Sequence, residues 1–436
     1  MDSASISSAL ESMILTLSIV FHARSADNFR TLVHGLVLCL GRPTVTNMAR
    51  AASDRFAKDV TALHRFFSRA TWEPDDVARV LLTMILLPLF VPAGMPLWLA
   101  GDDTTAEKTG RKVSFAGWFR DAVRSTGSTT VKHWAHNWVI VCLIVPCPFF
   151  PQRFLHLPIH ARLYRKKDQC DKNNPFRTRQ ELLLEMVKQI ASWVGERRIE
   201  LLADGAYPSR ELVRDLPRSV VLTSRIRRDA ALFNLAPPRT GRVGRPAEKG
   251  APLPKLEKIA KSATFEPAKV LRYGEVRNVL LHSFIALWYS VSKKPVRIVI
   301  VRDPAGIEHD DFFFTTDVDS KPADVVVRYA ARWGVEEANR EVKQSLGFDQ
   351  VQSWSAKAVL RQAPFVLFVH SIVQAAYHTT TMPARAADPA PPPAFGRILT
   401  SLRLELWGHR ITSTFARGAD PKVFVELLKQ SLATAA

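Results

Sequence analysis

Residues 97–105 read LWLAGDDTT, an apolar run that ends in two aspartates followed by two threonines. The apolar part suits a short buried strand, and a strand held in a sheet can aim a carboxylate rigidly into a cleft. A similar pattern recurs at residues 199–205 (IELLADG), where Asp204 follows another short apolar run. An Asp-Gly pair after a strand is by itself more typical of a simple turn. The two stretches therefore predict two core strands, each with an acid at its end.

The order of strands and helices around these stretches predicts the fold class. Residues 138–145 (WVIVCLIV) are apolar throughout, as expected of a strand covered on both faces, and residues 154–164 fit a third strand. Helical and extended patterns then alternate, in a helix over 177–194, the strand at 199–203, a short helix over 211–216 and a strand from 219. Three strands, a helix, a strand, a helix and a strand is the order of an RNase H-like core. We therefore expect an α/β fold with an RNase H-like mixed sheet flanked by helices.

The segment before this core is predicted to be helical. Residues 1–95 place apolar residues at helical spacing with basic residues between them, as in ALHRFFSRATW at 62–72. The uncharged stretch 80–101 is long enough to span a bilayer, but three prolines interrupt it, and we interpret it as a helix end, a turn and a core strand. A small helical DNA-binding domain and a helical domain with an ordinary basic surface fit residues 1–95 about equally well.

The remaining sequence predicts that the core is interrupted. Residues 235–262 are rich in Pro, Gly and Arg and predict a mobile basic arm or loop that packs no core. Strands are predicted at 279–289, 296–301 and 311–316, helices at 323–346 and 356–378, a linker at 386–394 and helices at 396–433. The predicted domains are a helical DNA-binding domain at 1–95, a catalytic core at 96–234 and 321–380, a basic loop and β-strand insertion at 235–320, and a linker with C-terminal helices at 381–436.

The charge of the chain favours a nucleic-acid partner. Sixty Lys and Arg against 41 Asp and Glu give a formal net charge of +19 and a sequence pI near 10.1. Such a field attracts polyanions, because each neutralised phosphate releases condensed counterions. The four cysteines form no CxxC pair, and the N-terminus lacks the basic start of a signal peptide. We therefore expect a cytoplasmic protein that binds nucleic acid and no membrane.

Residues 329–343 (YAARWGVEEANREVK) carry a third group of polar side chains. On an uninterrupted α-helix, the positions of Tyr329, Arg332, Glu336 and Lys343 fall within about 60° of one another. An exposed helix held by the i,i+4 ion pair Arg332–Glu336 explains two of these residues but leaves Tyr329 and the register unexplained. The sequence therefore predicts a helix face with an aromatic ring, two cations and one acid.

The spacing Y-x2-R-x3-E-x6-K of these residues resembles the signature of bacterial insertion-sequence transposases of the DDE superfamily, whose fold is RNase H-like. Asp103 in GDDTTAEKTG is similar to the first acid of that family, and Asp204 in LLADGAY to the second. The 132 residues between Asp204 and Glu336 are similar to the gap in members with a β-strand insertion. The resemblance covers about residues 40–380. It implies catalytic and metal-binding roles for Asp103, Asp204 and Glu336, and DNA-binding roles for Tyr329, Arg332 and Lys343.

The resemblance also implies a reaction, a cofactor and partners. The reaction is cleavage at insertion-sequence ends followed by transfer of 3′-hydroxyls into target DNA. Two Mg²⁺ ions, for which Mn²⁺ can substitute, would activate the nucleophile and stabilise the leaving oxygen, and such hard cations prefer carboxylate oxygens. The partners would be double-stranded DNA with terminal inverted repeats, target DNA and a second copy of the chain in the DNA complex, at the bacterial nucleoid. A non-catalytic DNA-binding relative and a nuclease without strand transfer are the alternatives.

Several residues compete for these roles or resemble other sites. Asp102 is an alternative to Asp103, although the acid of the family directly precedes a threonine. Glu337 competes with Glu336 but breaks the register. The histidines of HWAHNW, at 133 and 136, resemble a metal pair but are better interpreted as core or DNA-facing residues. Trp288 resembles aromatics that stack on a flipped base in relatives that form hairpin ends, and a core tryptophan is the preferred interpretation.

Overall fold

Helices make up the N-terminal part of the chain, as the sequence predicts. The computed structural model describes residues 5–52, 59–121, 124–238, 247–350, 352–388 and 390–416. In these residues, the helices before the first strand are α1 (Ile6–Ser18), α2 (Ala23–Leu38), α3 (Val45–Ala52), α4 (Val60–Ser68), α5 (Pro74–Val80) and α6 (Leu87–Phe90). A π-helical turn, Leu81–Leu86, joins the last two helices. The uncharged stretch 80–101 is therefore a helix end, a turn and the start of a strand, as predicted.

Ten strands of the described residues form one mixed sheet. They are β1 (Leu97–Glu107), β2 (Gly117–Arg120), β3 (Lys132–Cys147), β4 (Phe150–Tyr164), β5 (Ile199–Ala203), β6 (Val220–Arg225), β7 (Glu266–Arg272), β8 (Glu275–Ala286), β9 (Val296–Arg302) and β10 (Asp311–Thr315). The order is β2-β3-β1-β5-β6-β10-β9-β8-β7, with β4 also paired to β3. β4, β3 and β1 are antiparallel neighbours, whereas β1, β5 and β6 are parallel. This arrangement confirms the predicted RNase H-like fold class.

The predicted β-strand insertion extends the same sheet. β10 pairs antiparallel with β6, and β9, β8 and β7 follow outward. The sequence interpretation missed β7 and a helix, α9 (Leu256–Ser262). It was wrong that residues 235–262 pack no core, because Leu256 and Ala260 are buried. Residues 239–246 of the predicted basic arm lie outside the described residues.

The helices that follow the first strands cover both faces of the sheet. They are α7 (Arg179–Val194), α8 (Arg210–Asp215), α10 (Pro322–Ala331), α11 (Gly334–Leu346), α12 (Ala356–Ala387) and α13 (Phe395–Ala416). α7 covers one face of β1, where a Cβ added to Gly101 would stand 2.5 Å from Leu183. On the other face, the turn after α11 brings Phe348 to the Trp138 ring, with the centroids 6.5 Å apart. Side chains of β1 therefore point either to α7 or to α11.

Caps fix the ends of the two helices that flank β1. The Thr178 hydroxyl accepts a hydrogen bond from the Glu181 N–H, and the Glu181 carboxylate accepts one from the Thr178 N–H, which forms a capping box at the start of α7. α11 ends at Gly347, which has a φ of 62°. A side chain at Gly347 would be strained by this left-handed backbone and would also meet Pro43 at 2.5 Å. Both helices are thus held in register with the sheet.

The C-terminal helices differ from their predicted boundaries. The single helix predicted at 323–346 is divided into α10 and α11, because the chain bends at residues 332–333. α12 extends into the predicted linker as far as Ala387, and α13 ends at Ala416. The rest of the helix predicted to reach 433 lies outside the described residues.

α12 connects the N-terminal helices to the sheet. It packs against α1 and α4 on one side and against β4 on the other, so these elements share one hydrophobic core. Its segment Ala356–Met382 is long and apolar enough to cross a membrane, but 94% of its apolar window is buried inside the protein. Such burial is typical of the central helix of a core.

A buried ion pair joins α10 to the sheet. The Arg328 guanidinium donates to the Glu200 carboxylate of β5 at 2.6 Å, and both side chains are almost fully buried. Arg328 also donates to the Ser320 hydroxyl at 2.7 Å. On the solvent side, Arg198 donates to the other Glu200 oxygen at 2.7 Å. The pair holds α10, and the chain that follows it, against the centre of the sheet.

Candidate active site

The two aspartates at the end of the first core strand point to opposite faces of the sheet. They are neighbours on β1, where Asp102 pairs with Ile140 and Asp103 with Val139. Because side chains alternate along a strand, Asp103 shares the face of Gly101, which α7 covers. Asp102 therefore faces α11. Asp102 and Asp103, the two candidates for the first acid, are therefore neighbours in the chain whose side chains lie on opposite faces of the sheet.

Asp102 is a largely buried carboxylate held against a cation. Its Oδ2 lies 3.1 Å from Nη1 of Arg332, and its Oδ1 accepts a hydrogen bond from the Asp103 N–H at 2.8 Å. Burial raises the pKa of Asp102 to about 6; the charges of Asp103 and Asp204 also raise it, against the opposing effect of Arg332. This carboxylate therefore lies in an environment that favours a further positive charge.

Asp204 is brought beside Asp102 by the sheet register. The parallel pairing of β1 with β5 ends at Gly101 and Ala203, so the next residue on each strand is one of the two acids. The charge of Asp204 affects the pKa of Asp102, Tyr329 and Arg332, which places its carboxylate within this cluster. Two carboxylates thus meet at the carboxyl ends of neighbouring parallel strands.

Glu336 enters the cluster through Arg332, at the bend between α10 and α11. Oε1 of Glu336 lies 3.4 Å from Nη2 of Arg332, whose other terminal nitrogen contacts Asp102. At the bend, the Arg332 and Trp333 amides donate to the carbonyls of Tyr329 and Ala330, three residues back. Arg332 therefore bridges an acid of the sheet and an acid of α11.

The remaining residues of the predicted helix face, Tyr329 and Lys343, lie in different surroundings. Tyr329 is buried and packs on Phe313, with the two ring centroids 4.7 Å apart. The centroid of the Tyr329 ring lies 5.5 Å from the Arg332 guanidinium carbon. Lys343 lies further along α11, where its charge lowers the pKa of Asp349 against the effect of burial. Glu337 is exposed and lies 3.8 Å from Arg340. The structure thus brings Tyr329 and Glu336 together around Arg332, but neither Glu337 nor Lys343.

Asp103 belongs to a different cluster, on the α7 face. Its Oδ1 accepts from the Tyr207 hydroxyl at 3.2 Å, and its Oδ2 accepts from the Asn137 amide at 2.8 Å and lies 3.2 Å from Nε of Arg179. Arg179 also donates to Asn137 at 2.9 Å. Asp103, which the sequence favours over Asp102, is therefore not brought together with Glu336. Its contacts join the start of α7 and the turn after Asp204 to β1.

The sequence interpretation missed the partners of Asp103. Asn137, Arg179 and Tyr207 come from three elements that are far apart in the chain. One signal was available, because Tyr207 lies three residues after Asp204 in the same motif. The other two could be found only from the pairing of β1 with β3 and the position of α7.

Two aromatic side chains are exposed beside Arg332, and the sequence interpretation did not single them out. Trp333 is 50% exposed and Tyr273 is 51% exposed, with their ring centroids 6.0 Å apart. Tyr273 and Gly274 form the tight turn between β7 and β8, and both have positive φ values, of 55° and 85°. The inserted strands thus bring an aromatic ring against Trp333, and both rings line a cavity that also includes Glu337 and His156.

The structure shows the surroundings of Trp288, His136 and His133, the residues whose sequence context resembled other kinds of site. Trp288 is buried, with its ring centroid 5.1 Å from that of Phe314, as the core interpretation predicts. His136 is buried, and its Nε2 lies 2.8 Å from the Ser114 carbonyl oxygen; burial lowers its pKa to about 4. It is therefore a neutral core histidine. His133 has different neighbours and does not form a metal pair with it.

His133 lies in a second acidic group, at the far end of β1. Its Nδ1 is 3.2 Å from Glu107 and 3.4 Å from Asp121, and these three residues have the spacing of a metal site. Arg124 already lies within 3.4 Å of Glu107 and 3.5 Å of Asp121. A cation of the protein therefore neutralises this group.

The donor set of the main cluster fits divalent metal ions. Asp102, Asp204 and Glu336 supply only carboxylate oxygens, which are the ligands that Mg²⁺ and Mn²⁺ prefer. Burial is the main cause of the raised pKa of Asp102, and repulsion by the charges of Asp103 and Asp204 adds to it. A bound cation would reduce that repulsion.

Comparison with known protein families agrees with this fold. Residues 17–283 match the family model described as DDE superfamily endonuclease. The match covers more than half of the chain, and the protein therefore belongs to this family of DNA-cleaving enzymes, which use divalent metal ions. The matched residues include Asp102, Asp103 and Asp204 but end before Glu336. No curated protein matches the chain.

Proposed function

We propose that the protein is a DNA transposase, which cleaves the ends of an insertion sequence and joins their 3′-hydroxyls to target DNA. The observation that carries the proposal is the convergence of Asp102, Asp204 and Glu336 around Arg332. Each acid comes from a rigid element, two from strand ends and one from a helix, as a preorganised site requires. The family to which the chain belongs is one of DNA-cleaving enzymes.

In this proposal the three acids hold two Mg²⁺ ions. Asp102, rather than Asp103, is the first acid, because it shares the face of Glu336. When bound, the ions supply Lewis acidity to the attacking and leaving oxygens of the phosphodiester. The chain itself orients and neutralises the phosphate. Arg332 is suited to this by its planar fork of donors, and Lys343 acts as a point charge at the next phosphates.

Arg332 has a second role in the absence of DNA. Its guanidinium contacts both Asp102 and Glu336 and so compensates part of their repulsion. With these carboxylates engaged by cations, the two terminal nitrogens of Arg332, which now contact one carboxylate each, would be available for phosphate oxygens. The Tyr329 ring lies against the Arg332 guanidinium, with 5.5 Å between the ring centroid and the guanidinium carbon, and stabilises its positive charge.

Two features favour a transposase over a minimal nuclease of the same fold. The first is the sheet extension β7–β10, which brings Tyr273 into contact with Trp333 at the start of α11. The second is the N-terminal helices, which we propose bind the terminal inverted repeats together with the basic arm. A dimer in the DNA complex and a location at the nucleoid remain predictions from the family resemblance.

The joining reaction is the direct test of this proposal. The protein is incubated with DNA that carries both ends of its own element, with a supercoiled target plasmid and Mg²⁺, and the products are separated on a gel. We expect cleaved ends and a product in which the 3′ ends are joined to the plasmid. Cleaved ends without joined product would indicate the nuclease alternative. Binding without cleavage in either Mg²⁺ or Mn²⁺ would indicate the non-catalytic relative.

We expect Trp333→Ala to lower end cleavage by about tenfold or more, because stacking of a nucleobase on an aromatic ring contributes about 1–3 kcal/mol. Trp333 follows Arg332 in the chain and is half exposed, so in this proposal its ring is free to stack on a base and contributes little to the core. Trp333→Phe keeps a stacking surface and should retain most of the activity. Trp118→Ala removes a similarly exposed tryptophan, 57% exposed on β2, and is the matched control. Equal losses for Trp333→Ala and Trp118→Ala would contradict a stacking role for Trp333.

A further inference from the structure

A cavity of about 650 Å³ lies at the end of the sheet opposite the carboxylates. The residues that line it come from the amino ends of β5, β6 and β9, the carboxyl end of β10 and the helix α8. Arg198 directly precedes β5, whereas Asp204 directly follows it. At about 3.3 Å per residue, the two ends of this strand are roughly 20 Å apart. The cavity is therefore separate from the site that holds the acids.

The lining of this cavity is strongly cationic. Six of its residues are basic, and one, Asp317, is acidic. We call the six the basic surface, and they are Arg198, Arg210, Arg214, Arg218, Lys293 and Lys294. All six are exposed. The only acid of the lining is already bound to Arg198.

Half of these cations have no acid to neutralise them. Arg214 pairs with Asp215 on the same helix, and Lys293 with Glu248. Among the residues that the structure describes, Arg210, Arg218 and Lys294 form no ion pair, so each keeps its full charge for a ligand. An arrangement of unneutralised like charges costs energy, which an anionic partner would remove.

The distribution of these charges favours an extended polyanion over a small one. A site for a single phosphate gathers its donors around one enclosed point, whereas these cations are exposed on three separate segments, namely α8, the loop before β6 and the loop before β9. Exposed Arg and Lys spread over a surface are the usual contacts to a phosphodiester backbone. DNA is the polyanion on which this family acts.

We propose that the basic surface binds the backbone of duplex DNA, at phosphates about 20 Å from the one that is cut. The inference requires the chain to bind DNA but not to cut or join it, so it stands or falls separately from the proposed transposase activity. The contacts are to phosphates alone, and the surface should therefore bind DNA of any sequence. It would hold a second stretch of DNA while the carboxylates act on the first.

The test measures binding of the full chain to a labelled duplex of about 40 base pairs at several salt concentrations. The measurement uses an Asp204→Ala background with EDTA, so that cleavage plays no part. The variant R210A/R218A/K294A removes the three unpaired cations. The control K172A/K357A/R397A removes three cations that are exposed elsewhere, on other elements, and lowers the net charge equally. Circular dichroism and thermal unfolding check that each variant is folded.

We expect R210A/R218A/K294A to reduce the slope of log K against log salt by about 0.9 per cation, or roughly 2.7 in total. Its affinity at 0.1 M salt should fall by about a hundredfold, whereas the control should lose at most a few-fold. If the two variants lose affinity and slope equally, the basic surface does not contact DNA and the inference is overturned. It is also overturned if affinity falls while the slope is unchanged, because a phosphate contact must release counterions.

Discussion

Replacing Asp102, Asp204 or Glu336 by alanine is expected to lower DNA cleavage by about a thousandfold or more. Each substitution removes a carboxylate that we propose binds metal, and two-metal phosphodiester chemistry depends on both ions being held. Binding of uncleaved DNA should change little, since phosphate contacts by Arg and Lys supply most of that affinity. Cleavage is measured as the rate of end nicking in Mg²⁺, and binding in EDTA. A variant of any of the three acids that cuts like the parent would exclude that residue from the site.

A comparison of variants of Asp102 and Asp103 is the most direct test of this prediction. Asp102→Asn keeps the size of the side chain but removes the charge that faces Arg332 and Asp204, so cleavage should be lost. Asp103→Asn leaves the side chain able to accept from Tyr207, and we expect a loss of about tenfold or less, because Asp103 positions its neighbours. The opposite result, with Asp103→Asn inactive and Asp102→Asn active, would return the role of first acid to Asp103, as the sequence motif favours.

The raised pKa of Asp102 predicts that Asp102→Asn loses activity without unfolding. Burial raises this pKa from 3.8 to about 6, so the folded state binds the proton more tightly than the unfolded state does. The stability that the protonated group contributes is present below about pH 4 and is lost as the pH rises through 6. Above that pH the metal-free parent carries an unfavourable buried charge. The neutral Asp102→Asn variant should therefore have a free energy of unfolding no lower than the parent at pH 8.

The second large effect is expected on stability, from Arg328→Ala. The Arg328–Glu200 ion pair is almost fully buried, and removal of one partner leaves the other charge without its compensation. Loss of a partner from a buried pair typically costs about 3–5 kcal/mol. We expect about 3 kcal/mol, because Arg198 still contacts Glu200 from the solvent side. Urea unfolding followed by circular dichroism measures the change.

Two further variants test whether the loss of stability in Arg328→Ala comes from the burial of the charged pair. Arg227→Ala removes one partner of an exposed pair with Asp229 and should cost less than about 1 kcal/mol. The double variant E200M/R328M replaces the buried pair by apolar side chains and should recover much of the loss, since burying two charges is itself costly. Equal costs for Arg227→Ala and Arg328→Ala would show that burial adds nothing to the pair.

Much of the fold could be predicted from local patterns. Short apolar runs followed by acids marked β1 and β5, and the alternation of helical and extended segments gave the order of the core. β7 was missed because most of its side chains are exposed or half-buried, so it carries no continuous apolar run. α9 was missed because the Pro, Gly and Arg content of the segment before it obscured a single apolar helix face, on which Leu256 and Ala260 are buried.

The site was predicted less completely, for geometrical reasons. The helix face from Tyr329 to Lys343 was calculated for one straight helix, whereas the helix is interrupted at residues 332–333, so that Tyr329 lies on α10 while Glu336 and Lys343 lie on α11. The choice between Asp102 and Asp103 depends on which face of β1 meets α7 and which meets α11. Because both faces are buried, the sequence around these residues carries no sign of that difference.

The acids of the proposed site come from three positions that are far apart in the chain, and Glu336 is 132 positions after Asp204. A ribosome that adds about 5–20 residues per second needs about 7–26 s to synthesise that interval. During this time the two aspartates can already be paired through β1 and β5, but α11 does not yet exist. In this proposal, a nascent chain therefore lacks cleavage activity until α11 has been synthesised.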